Sequence, residues 1–398
     1  MSVASDLFAV PRPLRILLVG NFAPDEQESM LRFEQMMAVG LRARGHVVET
    51  ISPVPILARL ARPYRYAGWP KLLGYADKFL LFPLALRRHV RGFAPDVVHI
   101  VDHANAGYAR NTATKPCLVT CHDLLQIRVA RGEFPVPRPS LSGRWFQARI
   151  RHHLSRLAHV ACVSEQTRVD LRRIAGLKTE QIDVVHNGLN QPFRRVPVAE
   201  ARSVLAPLLA RTGLSAGVLG CFLFNIGGTQ WYKNRSGLLS IYAELRRLLP
   251  SPPALLLAGK ALSPELLAQC EALGIQSHVI PLGTVTAAEL ESLYSLAEGL
   301  LFPSWAEGFG WPIAEAQTCG CPVFTSNRAP LTEVGGDAAV YFDPADPLDA
   351  ARQISAHWSR RTELRSAGLQ RAELWSPQRM LAAYENLYRS MLAIPRAQ

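Results

Sequence analysis

The chain has 398 residues, 48% of them hydrophobic and 19% charged, which is enough to build two core-bearing domains and argues against disorder. Its 44 Lys and Arg against 32 Asp and Glu leave a formal net charge of +12, so an acidic partner is expected: a membrane surface, a phosphorylated acceptor or nucleic acid. No recognition-helix, zinc-finger or RNA-binding aromatic signature accompanies that charge, and nucleic acid is set aside.

The N-terminus shows no basic segment leading into an apolar run and a small-residue cleavage site. No stretch approaches the roughly 20 uninterrupted apolar residues of a spanning helix. The protein is therefore expected in the cytoplasm. Seven cysteines, an odd number, sit in apolar contexts such as Cys117, Cys162 and Cys221 and read as reduced core thiols. Cys117 with Cys121, and Cys319 with Cys321, have no histidine or second pair at zinc spacing, so no metal is expected.

In chain order, the first half predicts strands at Arg15 to Gly20, His46 to Ile51, Asp96 to Val101, Cys117 to Cys121, His159 to Val163 and Ile182 to Val185. A helix from about Glu28 to Arg44 places Leu31, Met36, Met37 and Leu41 on one face. From Ile56 to Arg91 the aromatics and leucines Tyr64, Tyr66, Trp69, Leu72, Leu73, Phe79, Leu80 and Phe82 interleave with Arg59, Arg62, Arg65, Lys71, Lys78, Arg87, Arg88 and Arg91. Two readings stand there: a basic, aromatic face resting on an anionic membrane, or core helices with a solvated basic side. His122 ends a strand beside Asp123; Ser164 suits a helix N-cap and Asn187-Gly188 a turn. Pro192 to Gly217, broken by Pro197, Pro207 and Gly213, reads as a linker with one helix near Ala199 to Leu209.

The second half repeats the design, with strands near Phe222 to Ile226, Ala254 to Ala258, His278 to Leu282, Leu300 to Pro303, Pro322 to Thr325 and Ala339 to Phe342. Strands alternating with amphipathic stretches throughout mean parallel sheets covered on both faces. After the first of these strands, Gly227-Gly228-Thr229 leads to Lys233-Asn234-Arg235, with Asn234 as N-cap and two cations at a helix N-terminus. Cations there oppose the macrodipole unless an anion lies between. A last helix is expected from about Pro377 to Leu392 after a helical stretch from Pro347 to Leu374.

The most informative stretch is Leu300 to Thr325: a buried strand, a glycine-rich turn holding Glu307, and a helix with Pro312 at its first position and Glu315 in its first turns. Trp311 is a poor N-cap, so amides remain unpaired at the positive helix end beside Gly308 and Gly310, a place for an anion. The run Glu307-Gly308-Phe309-Gly310-Trp311-Pro312, with Glu315-Ala316 and Gly320-Cys321-Pro322-Val323, resembles the nucleotide-sugar signature of glycosyltransferase family 4. No G-x-G-x-x-G follows a strand, which removes a nicotinamide dehydrogenase.

The resemblance implies an α/β protein of GT-B fold: two doubly wound Rossmann-like domains facing across a cleft. It implies an acceptor-side domain over 1–195, a linker over 196–217, a nucleotide-sugar domain over 218–376 and a helix over 377–398 returning to the first domain. By the same resemblance Glu307 reaches the donor sugar, the amides of Phe309 and Gly310 meet sugar hydroxyls and diphosphate, and Glu315 binds the ribose. Lys233 falls on the donor phosphates, His122 near the reaction centre, Glu333 close to the donor pocket, and Val279 to Gly283 along the base. Two positions depart from the pattern: Trp311 replaces a smaller aliphatic, and Gly228 stands where a second phosphate cation, an arginine, is usual, with Arg235 or Lys260 as substitutes.

The implied activity is retaining, metal-independent transfer of a hexosyl group from a nucleoside-diphosphate sugar (GDP-mannose or UDP-glucose type) to a hydroxyl of a saccharide or lipid-linked acceptor. Surface polysaccharide or glycolipid biosynthesis is the expected setting, with peripheral contact at the inner face of an anionic membrane. No cofactor is called for, and no Asp-x-Asp offers a metal site. An epimerase or hydrolase of the same fold, or a non-catalytic nucleotide-sugar-binding protein, are the rival readings.

Overall fold

The computed structural model describes residues 12–61, 69–112 and 115–393, the side chain of Trp69 excepted, and within them parallel strands form two six-stranded sheets. The first sheet contains β1 (Arg15–Val19), β2 (Val47–Ile51), β3 (Val97–Ile100), β4 (Cys117–Cys121), β5 (His159–Cys162) and β6 (Ile182–Val184), in the order β2-β1-β3-β4-β5-β6. The second contains β7 (Phe222–Gly227), β8 (Ala254–Gly259), β9 (Val279–Gly283), β10 (Gly299–Phe302), β11 (Val323–Ser326) and β12 (Ala339–Phe342), in the order β12-β11-β10-β7-β8-β9. Each expected strand is present, its ends shifted by no more than a residue. Strands β3, β10 and β11 are buried along their whole length, as parallel strands covered on both faces must be. Strand order reverses between β1 and β3 and between β7 and β10, and a crevice opens beyond the carboxyl ends there.

The helix Glu28–Ala43 buries Phe33, Met37, Ala38 and Leu41, whereas Leu31 is 37% exposed. The inward stripe runs through positions four apart from Phe33, so the face expected through Leu31 is rotated toward solvent. The segment expected as a linker is packed: the helix Val198–Thr212 buries Ala201, Leu205, Leu208 and Leu209, and its leucines join the core of the second sheet. Cys221, expected in the core, is exposed just ahead of β7, while Cys162 is buried. Tyr64, Tyr66, Arg62 and Arg65 lie outside the described residues, as does the side chain of Trp69. Of their basic and aromatic neighbours, Lys78 and Phe82 are buried and Leu72 and Leu80 exposed.

From Trp375, whose carbonyl accepts from the Leu189 amide at 2.9 Å, the chain crosses back to the first sheet. Its helix Pro377–Ala393 buries Met380, Leu381, Tyr384, Leu387, Tyr388 and Met391 against the β1 side of that sheet. A chain of buried polar side chains pairs inside this contact. Tyr388 Oη meets His99 Nδ1 at 2.7 Å, His99 Nε2 meets Thr120 Oγ1 at 2.7 Å, and Thr120 Oγ1 meets Tyr384 Oη at 3.0 Å. Such a paired network rigidifies a core that a single missing partner would weaken. Tyr384→Ala empties a fully buried site and breaks this chain, so it should destabilise the protein by about 3–5 kcal/mol. The midpoint of urea unfolding measures it, and an unchanged midpoint would put the returning helix outside the cooperative core.

Candidate functional site

The carboxyl ends of β7 and β10 flank the crevice of the second sheet. Beyond β7 the turn Trp231–Lys233 enters the helix Arg235–Leu248, which Asn234 caps by accepting from the Gly237 amide at 3.2 Å. Beyond β10 the glycine-rich loop enters the helix Trp311–Thr318. The two segments meet in an ion pair, Lys233 Nζ donating to Glu307 Oε1 at 2.8 Å, with side-chain exposures of 16% and 10%. The same ammonium lies 5.1 Å from the Phe302 ring centre and 5.5 Å from that of Tyr232. A carboxylate and two ring faces thus hold one cation.

Gly310, at φ +104°, is the N-cap of the Trp311 helix, and a Cβ there would also stand 2.9 Å from Leu331 Cδ2. The helix therefore starts at Trp311, with Pro312 second rather than first. No side chain caps it, and the amides of Phe309 and Gly310 have no acceptor among the described residues. The positive end of the helix stays open toward the Lys233–Glu307 pair's loop. Gly308 is needed for a different reason: a Cβ at that position would collide with the His122 carbonyl oxygen. Ser164 Oγ fixes the approach by donating to the Gly308 carbonyl at 2.9 Å, while accepting from the Thr167 amide as an N-cap.

His122 is thereby brought against the loop that carries Glu307. Its Nε2 lies 2.9 Å from the Val101 carbonyl, which can only accept, so Nε2 carries the proton and Nδ1 the lone pair. Burial pushes the imidazole pKa below its ordinary value; the Asp102 carboxylate and the Val101 carbonyl act in the opposite direction. The ring is neutral near pH 7. Burial alone would raise the Asp102 pKa, but the charge of His103, with the Ala104 amide and the Asn21 amide, acts against it and the net shift is downward.

Glu315 is 8% exposed, and Tyr294 Oη donates to its Oε2 at 2.9 Å. Burial pushes its pKa up to about 7, against the pull of the Tyr294 hydroxyl, Arg32 and Lys233. Neither Tyr294 nor Arg32 stood out in the sequence: a tyrosine at core spacing and an arginine on a solvated helix look like many others.

Several singled-out residues have other partners. Glu333 accepts the Glu165 amide through both oxygens at 3.0 Å and pairs with His186 Nε2 at 2.6 Å, so it clasps the two domains together. Trp311 Nε1 donates to the Gly188 carbonyl at 3.2 Å, and its ring packs against the cores of both sheets, which explains a large side chain where a small one was expected. The Phe309 ring is buried 5.5 Å from Trp375, leaving only its backbone for a ligand. Arg235 is mostly buried and donates to the Ala261 carbonyl at 3.0 Å, away from Lys233, while Lys260 is exposed just after β8. Gly228 adjoins Gln230, whose amide a Cβ would strike. Among the described residues no three His, Cys, Asp or Glu side chains gather as a metal site.

Two family profiles match the chain, one described as Glycosyltransferase Family 4 over residues 34–191 and one as Glycosyl transferases group 1 over residues 221–372. The chain is 31% identical over 226 residues to O-antigen chain mannosyltransferase B of Escherichia coli, covering 56% of this chain and 56% of that protein. It spans about half the length, or less, of the curated relatives it matches. Among solved structures, sucrose-phosphate synthase from Thermosynechococcus elongatus superposes with a TM-score of 0.72 at 19% identity, over 95% of this chain and 99% of that one. WaaG, a glycosyltransferase involved in lipopolysaccharide biosynthesis, gives 0.66 at 15% identity, over 94% and 99%. At such identities the likeness establishes the fold, which is GT-B.

The Tyr294 hydroxyl stabilises the charged form of Glu315, so Tyr294→Phe should raise the Glu315 pKa further above about 7, as carboxyl-carbon NMR would register. Because the folded group holds its proton up to about 7 against 4.5 in the unfolded chain, its effect is to lower stability as pH rises through that window and to level off above it. Glu315→Gln should flatten this part of the Tm–pH curve; an unaltered slope would assign the titration elsewhere.

Proposed function

We propose that this chain, which belongs to glycosyltransferase family 4, transfers a hexosyl group from a nucleoside-diphosphate sugar to an acceptor hydroxyl with retention of anomeric configuration. The observation that carries the reading is the Lys233–Glu307 pair set beside the open amides of Phe309 and Gly310. The donor is of the GDP-mannose or UDP-glucose type. The mannosyltransferase among the relatives makes GDP-mannose the first to try.

In this reading the bond from the sugar C1 to the diphosphate oxygen breaks, the acceptor oxygen bonds to C1 on the same face, and the acceptor proton passes to the departing phosphate oxygen. Negative charge grows on the diphosphate, so groups already aimed at it lower the barrier most. Lys233 has three N–H donors; Glu307 takes one and the others serve phosphate oxygens. The amides of Phe309 and Gly310 add donors at the positive helix end, and Gly228 keeps the facing loop free of a side chain. Glu307 orients the sugar through a hydroxyl, and Glu315 accepts from the ribose. His122, neutral and lodged against the Gly308 loop, lines the acceptor side of the reaction centre. Arg235 is engaged with Ala261, which leaves Lys260 and, from the first domain, Arg32 to meet the second phosphate. Glu333 acts at one remove, by holding the domains together.

The first domain supports a peripheral place on an anionic membrane at the cytoplasmic face, with a saccharide or lipid-linked acceptor and a role in surface polysaccharide or glycolipid biosynthesis. Leu72, Leu80, Leu84 and Trp145 are exposed, as are Arg87, Arg88 and Arg91 of the same domain. No helix among the described residues is long and apolar enough to cross a membrane.

Lys233→Ala should lower kcat by roughly 100- to 1,000-fold in an assay with labelled donor run well below the variant's unfolding midpoint, which the unpaired Glu307 carboxylate should lower. Full turnover in that variant would remove Lys233 from the chemistry. Label recovered as free or epimerised sugar, with none in the acceptor, would replace transfer by hydrolysis or epimerisation.

A further inference from the structure

The first domain holds a second recess that shares no residue with the Lys233–Glu307 region. It lies where the run His103–Asn111 meets the helix Leu141–Leu154 and the residues Phe79 and Pro83, and it is shallow and open to solvent, so a ligand would sit at its mouth. Its wall is cationic without compensation. Arg110 and Arg149 line it, and His153 follows Arg149 by one helical turn. Among the described residues no carboxylate pairs with either arginine; Arg149 lies instead 4.6 Å from the Phe79 ring centre. The acid that faces this region, Asp25, is already paired with Lys78 at 2.5 Å. Burial and then the charge of Arg110 hold the Arg149 pKa down, and burial followed by Arg149 and Arg110 pushes His153 to about 4. Like charges have been gathered here, and the nearby carboxylate, Asp25, is matched by Lys78 rather than by either arginine.

A separate observation concerns Asn111. It lines the same recess, is 2% exposed, and its Nδ2 has no hydrogen-bond partner. A buried amide left in that state costs on the order of 1–3 kcal/mol, which no group of the chain recovers. We propose that this recess binds a phosphate or diphosphate group through Arg110, Arg149 and the Asn111 side-chain amide. The guanidinium forks match paired phosphate oxygens, and Asn111 supplies a further donor. The group is carried on a lipid headgroup or is free in solution. An apolar edge of Phe79, with Phe146 at 6.0 Å and Tyr75 at 5.7 Å, accommodates what is attached to it. Asn105, also on the wall, donates to Asn21 Oδ1 at 2.7 Å, and Asn21 donates to Asp102 Oδ2 at 2.7 Å. These bonds connect the recess wall to the carboxylate that faces His122.

The inference stands apart from sugar transfer and is tested without turnover. The readout is the His153 imidazole titration by NMR on the full chain, with pyrophosphate in one arm and dihexanoyl phosphatidic acid in the other. A bound anion favours the imidazolium, so the His153 pKa should rise from about 4 by about one unit or more. Arg149→Gln should weaken the ligand's half-saturation about tenfold, and Arg110→Gln, at an exposed position whose change spares folding, should weaken it in the same direction. Lys233→Ala should leave the response intact while reducing any thermal shift with UDP or GDP, which separates this site from the donor site. A response to pyrophosphate supports a site for the free anion, and one to the lipid alone supports a headgroup site. No movement of His153 with either ligand, or half-saturation in both arginine variants equal to that of the unaltered protein, overturns the proposal.

Discussion

The approach of Gly308 to the His122 carbonyl sets the geometry around it. The loop after β10 has to pass the ends of β4 and β5 at backbone contact, and only a residue without Cβ permits that. Ser164 then locks the Gly308 carbonyl toward the first domain, so the neighbouring amides point elsewhere and remain available. With Gly310 in a left-handed conformation the helix starts immediately afterwards, and its positive end opens where Glu307 has just been placed. A larger residue at position 308 would move the loop away from His122 and carry the carboxylate with it.

The same closeness decides how buried charge is handled. Lys233 and Glu307 neutralise one another across two loops, and Glu333 is matched by His186 and a backbone amide. Removing one member of such a pair leaves an uncompensated charge, which costs more than the pair contributes. Glu315 differs, since its direct partner is a neutral hydroxyl. Its pKa rises to about 7, and at neutral pH the group is present in both forms. A carboxyl in that state can accept from one hydroxyl and donate to another, which suits a diol.

The sheets were legible in the sequence because a strand covered on both faces is a short continuous apolar run between turn residues, and that pattern survives without tertiary information. Asn234 and Ser164 were readable as caps for a similar reason: the amides that donate to them lie three residues away. The site was readable only where its parts are local. Glu307 and Glu315 share one loop and helix, but Lys233 is 74 positions from Glu307, and His186 is 147 from Glu333. Nothing in the spacing of residues so distant announces that they meet. Glu333 and Trp311 show the complementary limit: position near a site does not reveal that a side chain also bonds across the domain boundary.

Placement of Lys233 depends on both domains as well. The Phe134 ring, from the loop after the helix Leu125–Arg131, lies 4.6 Å from that of Trp231, and the Arg128 guanidinium lies 4.5 Å from the centre of the Phe134 ring. Trp231 opens the turn that ends at Lys233, so the first domain braces the segment whose ammonium faces Glu307. On the opposite flank Glu333, Trp311 and Ser164 bond across the same boundary. The cation and the carboxylate are therefore held by contacts on two sides of the cleft. Both groups stand on loops of the second sheet, so the first domain braces their orientation without supplying either of them.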